Sequence, residues 1–85
     1  MPTSAQVVIG TTAVVIVPQT RFDQTAIVHN LGAGAIYLGG PDVTVNNGFK
    51  LDNGAVLTVP VGDYEALYAV AAAGTHTVGV LTQIN

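Results

Sequence analysis

The chain has no cysteine, no tryptophan, one serine (Ser4), two histidines and only two cationic side chains, Arg21 and Lys50. Each shortage removes a class of function. Without cysteine there is no disulfide framework, no thiolate nucleophile and no thiolate metal site. Two cations cannot form the basic patch that phosphate backbones require, and the net charge of −3 works against it. Nucleic acid is therefore not expected as a partner. No apolar run approaches the roughly 20 residues of a spanning helix, so no membrane span is expected. The opening MPTSAQVVIGTTAVVIVP lacks a basic segment before its apolar runs, which Gly10, Thr11, Thr12 and Pro18 interrupt, so it does not read as a signal peptide.

What the chain does have is apolar surface: 49% of its residues are hydrophobic and 8% charged, a balance that favours packing over chemistry. A single domain of 85 residues buries only about 60–65% of the surface its unfolded chain exposes. Small domains gain robustness from disulfides, metals or partners, and oligomerisation is the route this composition leaves open.

Gly, Pro and Asn punctuate runs rich in Val, Ile, Thr and Tyr, a pattern of short strands and turns. Strands are expected over residues 6–9, 12–17, 25–30, 35–38, 43–45, 55–59, 66–71 and 75–84, the last with an interruption at Gly79. Asn47-Gly48 and Asn53-Gly54 offer the positive φ of tight turns, and Pro41-Asp42 begins a turn after Gly39-Gly40. Residues 64–73 could form a helix between Asp63 as N-cap and Gly74 as stop, but the surrounding pattern and the Tyr, Leu and Val within it favour a strand. The expectation is an all-β fold, a small antiparallel β-sandwich or a compressed jelly roll or barrel, as one domain over residues 1–85 with a mobile arm at residues 1–4.

A strand covering one core should be apolar on one face only. Residues 12–17 break that rule, with Val14 and Ile16 on one face and Val15 and Val17 on the other, and residues 66–71 break it too. The excess apolar surface is expected at an interface formed by Val14, Val15, Ile16 and Val17, with Arg21, Asp23 and Glu65 as rim contacts.

Catalytic residues do not emerge. Ser4 has no base and orienting group in a recognisable pattern, and His29 and His76 lie in strand-like runs without a motif. No enzyme activity is expected. Asp42, Asn46, Asn47, Asp52, Asn53 and Asp63 match no calcium-loop spacing and read as turn residues. Zinc would need imidazoles from several copies around an axis, and nothing in the sequence requires that. Gly32, Gly34, Gly39 and Gly40 lack both the following helix and the lysine of a phosphate loop. Asp63 and Glu65 read as solvated charges rather than a glycosidase pair. No metal or cofactor is expected.

Asn30-Leu31-Gly32, Ile36-Tyr37-Leu38-Gly39-Gly40, Val43-Thr44, Asn47-Gly48-Phe49, the Leu-x-Val at Leu57 to Val59, Leu67-Tyr68-Ala69-Val70, Gly74-Thr75 and the final strand after it form a pattern within residues 25–82. In these features the chain resembles small structural proteins of tailed bacteriophages, in particular capsid decoration and minor head proteins of phages of actinobacteria. The resemblance implies a β-sandwich that assembles as a homotrimer, made in the host cytoplasm, that docks on the major capsid protein at the virion surface and reinforces the shell. A phage tail or fibre adaptor or a receptor-binding module is the alternative. A small carbohydrate-binding module using Phe22, Tyr37, Phe49, Tyr64 and Tyr68 ranks behind both.

Overall fold

A computed structural model describes residues 2–84. It contains eight strands: β1 (Pro2–Ile9), β2 (Val14–Val17), β3 (Gln24–Asn30), β4 (Ile36–Gly39), β5 (Phe49–Leu51), β6 (Val56–Val61), β7 (Leu67–Ala71) and β8 (His76–Ile84). They form two four-stranded antiparallel sheets, a front sheet ordered β1-β8-β3-β6 and a back sheet ordered β2-β7-β4-β5. The chain crosses between sheets at every connection except the β4–β5 link. This is the double-sheet arrangement of a jelly roll, so the expected all-β sandwich is what forms.

β3 shows how sequence becomes sheet. Gln24, Ala26, Val28 and Asn30 are buried, while Ile27 and His29 between them are exposed, the period of two that a pleated strand imposes. Ile9 and Val78 from the same sheet and Val17, Ile36 and Ala69 from the opposite one close the core, each with no exposed area. Full burial of such aliphatic side chains contributes about 1.5–3 kcal/mol apiece.

Much of the apolar surface on both faces of these strands is buried within the chain. A bulge between Val15 and Val17 lets both Ile16 and Val17 turn inward, where strict alternation would expose one of them. In β7, Ala69 and Ala71 face the core, and Val70 points outward beside Tyr37, yet it too is buried. Val43 is buried on the same side, in the β4–β5 connection that folds back over Gly39 and Gly48. A Cβ on Gly48 would lie 2.7 Å from that of Tyr37, so this close approach, and not a positive φ, is what requires glycine there. Gly54, at φ 77°, does supply the left-handed turn expected of Asn53-Gly54.

Other expectations shift in detail. Val43 sits in a turn closed by its own N–H on the Gly40 carbonyl at 3.0 Å, and the strand that follows is β5, absent from the sequence reading. β8 runs through Gly79 in unbroken register with β1 and β3. Asp63 and Tyr64 form a turn closed by the Glu65 N–H on the Gly62 carbonyl, and the ambiguous segment resolves as strand β7 from Leu67. Where an arm was expected over residues 1–4, Pro2, Thr3 and Ser4 pair with Gln83, Thr82 and Leu81; Met1 lies outside the described residues.

Candidate assembly surface

The two sheets present different outer faces. That of the back sheet is partly covered by the chain itself, as Val43 and Val70 show. That of the front sheet is open. Four rows of side chains cross it, and the register aligns them: Ser4, Leu81, Ile27 and Thr58 in one row, Gln6, Gly79, His29 and Val56 in the next. Pro2, Gln83, Thr25 and Pro60 lie to one side, Val8, Thr77 and Leu31 to the other. Neither an acid, a lysine nor an arginine occurs among them. Val8, Ile27, Leu31, Val56 and Leu81 are all substantially exposed, Val8 by 63%. Gly79 has no side chain to fill its row, and a shallow depression of about 440 Å³ opens there between Ser4, Gln6, Ile27, His29 and Leu81.

Five of the seven charged side chains lie in loops at one end of the sandwich. The β2–β3 loop carries Arg21 and Asp23, the β6–β7 loop Asp63 and Glu65, and the β4–β5 loop Asp42. These loops meet: the Asp63 N–H donates to Asp23 Oδ1 at 2.9 Å and the Tyr64 N–H to the Thr20 carbonyl at 2.6 Å. Glu65 Oε1 accepts the Gly62 N–H at 3.0 Å, and the Arg21 guanidinium stands 5.2 Å from the centre of the Phe22 ring. Lys50 and Asp52 form an exposed pair at 3.7 Å elsewhere, a geometry worth little in water.

The residues singled out from sequence therefore divide. Arg21, Asp23 and Glu65 are gathered at the charged end. Ile16 and Val17 belong to the core of the single chain, Val14 packs against it half-buried, and Val15 is the one left exposed, on the outer face of the back sheet. The front face was not singled out. Its members alternate with core residues as any solvent face would, and the signal that marks them is the missing charge, visible only once the strand order is known.

Neither histidine joins a cluster. His29 lies on the open front face, and the His76 ring packs over the backbone of Gly32 and Gly34. Among the described residues no group of three or more His, Cys, Asp or Glu side chains is placed to hold a metal ion. Among the described residues no helix is long and apolar enough to cross a membrane.

No protein-family model matches the chain, and no curated protein does. A solved structure does match in shape. It is a subunit described under "Bacillus endospore appendages form a novel family of disulfide-linked pili", with a TM-score of 0.66 and 13% sequence identity, over 99% of this chain and 85% of that one. At this identity the likeness establishes a shared β-rich fold.

Proposed function

We propose that this chain is a non-enzymatic structural subunit that works by packing, and specifically a phage decoration protein that binds the assembled capsid as an oligomer and stabilises it. The observation that carries the reading is the outer face of the front sheet, open, uncharged and studded with Val8, Ile27, Leu31, Val56 and Leu81. A solvent face kept for solubility alone ordinarily carries lysine and glutamate. The resemblance over residues 25–82 supplies the viral half of the proposal.

Size fits a protein that acts in many copies. Four strands at the usual spacing, about seven residues long, make a face of about 400 Å². That is roughly half of what one partner contributes to a standard interface. Such a contact is weak singly and strong when repeated on a lattice, and a subunit that binds only assembled shells adds its binding free energy to the assembled state. The endospore pilus subunit supports the broader idea of a repeating subunit on this fold. Its disulfide linkage is closed to a chain without cysteine, so any polymer here would be held non-covalently.

The test is co-sedimentation of the purified chain with tailed-phage capsids stripped of decoration, before and after shell expansion. Saturable binding to expanded shells is the expected result. A chain that stays in the supernatant at micromolar concentration overturns the viral reading.

A further inference from the structure

Four strands border the two sheets, and three carry a feature that discourages another strand from adding. β5 is three residues long with Lys50 at its middle. β2 is four residues long and bulged. On β6, the Asn30 N–H donates to the Ala55 carbonyl, so by the alternation of an antiparallel ladder Leu57, Val59 and Val61 bond to β3, and Val56, Thr58 and Pro60 turn their backbone groups to the open side. Pro60 therefore places its missing N–H on the open side.

β1 carries none of these features. It is eight residues long, has no charged side chain, keeps continuous register with β8 and has proline only at its first position. The phase of its open side follows from the next ladder. The Leu31 N–H donates to the Thr77 carbonyl, so Thr77, Gly79 and Leu81 bond to β3, and Val78, Val80 and Thr82 bond to Val7, Ala5 and Thr3. Ser4, Gln6 and Val8 are left with their N–H and C=O groups directed away from the sheet, and all three are exposed.

We infer that β1 is the site at which a second copy of this chain adds, antiparallel, about a two-fold axis at Gln6. This rests on the reading of the chain as a self-associating subunit and names the contact. In this register Gln6 meets Gln6 and Ser4 meets Val8 of the other copy, so every open donor finds an acceptor, about six hydrogen bonds in all. The two Gln6 amides lie side by side and can pair. On the inner side Ala5 meets the half-buried Val7, an apolar cross-strand pair. No like charges are brought together. The product is one eight-stranded sheet whose two uncharged front faces join, with the two depressions flanking the axis. Its combined face of about 800 Å² reaches the size at which one partner of a standard interface operates.

The absence of cysteine makes the test direct. Residues opposed in a hydrogen-bonded antiparallel pair have Cα atoms about 5.5 Å apart, within the range a disulfide bridges. Under mild oxidation Gln6→Cys is expected to convert to a covalent dimer at least ten-fold faster than Thr58→Cys on the open side of β6. Equal rates, or no dimer from Gln6→Cys, overturn the proposal. In the unsubstituted protein, hydrogen exchange at the Ser4, Gln6 and Val8 amides is expected to slow as concentration rises. Unchanged exchange overturns the pairing even if the variant fails to fold. A trimer by light scattering without Gln6→Cys cross-linking sinks this edge contact and leaves the assembly reading standing, whereas cross-linking without capsid binding sinks the capsid reading and leaves the edge contact standing.

Discussion

The Asn30 side-chain amide donates to the Leu51 carbonyl at 3.0 Å, tying the end of β3 in the front sheet to β5 in the back sheet. The same nitrogen donates to the Gly34 carbonyl at 2.9 Å, and Asn30 Oδ1 accepts the Gly32 N–H at 3.0 Å. Asn30 is fully buried with its side chain satisfied. Asn30→Ala removes the side-chain partner of the Leu51 carbonyl in the interior and of the half-buried Gly34 carbonyl and Gly32 N–H, and a buried group left unpaired costs about 1–3 kcal/mol. Asn30→Asp keeps the shape but loses both donors and buries a carboxylate. Both variants are expected to lose about 3 kcal/mol or more of unfolding free energy, with Asp no better than Ala. Urea denaturation of the two checks this; an Asn30→Ala protein within about 1 kcal/mol of the parent would show that the knot contributes little.

Most of the fold was legible from pattern, and what escaped was tertiary. The alternation of β3 and the turn signals at Pro41 and Asn53-Gly54 placed strands and reversals without any knowledge of neighbours. β5 was missed because three residues carry too little period, and Val43-Thr44-Val45 has the better strand composition but is held in turns by Pro41 and Asn47. The inward turn of both Ile16 and Val17 was not legible, because a bulge cannot be read from valines in a row. Asn30 looked like a strand end, since its three partners come from a following loop and a strand some twenty residues on. The open front face needed the strand order, which brings together residues from both ends of the chain.

Tyr64 is the single residue other than glycine at positive φ, 60°, among the described residues. Its side chain is 65% exposed, so little packing offsets a left-handed backbone that costs about 1 kcal/mol for an L-residue. Tyr64→Gly is expected to stabilise the fold by about 0.5–1 kcal/mol, because glycine adopts this φ freely, and Tyr64→Val to destabilise it. The midpoints of thermal unfolding check the order Gly, Tyr, Val. A Tyr64→Gly protein that melts lower would mean that the ring holds the β6–β7 loop.

Ile36 is fully buried in β4 and packs in the central core cluster. Ile36→Ala removes that packing and leaves a cavity, at a cost of about 2–5 kcal/mol. A domain this small has little reserve, so the variant is expected to be largely unfolded near body temperature while Ile36→Val remains folded. Circular dichroism melts distinguish them. Equal melting would place the weight of the core elsewhere.

Assembly through the front face is expected to respond to apolar substitution and not to salt. Leu81 and Val56 are exposed by 42% and 58%, so Leu81→Lys and Val56→Lys add a solvated charge at small cost, within about 0.5 kcal/mol of the parent in unfolding free energy. Burying that charge against a partner is far more expensive, and either variant should lose binding to shells at least ten-fold while folding normally. Raising the salt from about 0.1 M to about 1 M shortens the screening length from about 10 Å to about 3 Å, which weakens contacts between charges but leaves an uncharged face as sticky as before. Arg21→Ala and Glu65→Ala at the charged end serve as controls, because an assembly held by those rims would instead dissolve in salt and survive Leu81→Lys. Sedimentation of each variant with shells at both salt concentrations decides between the two surfaces.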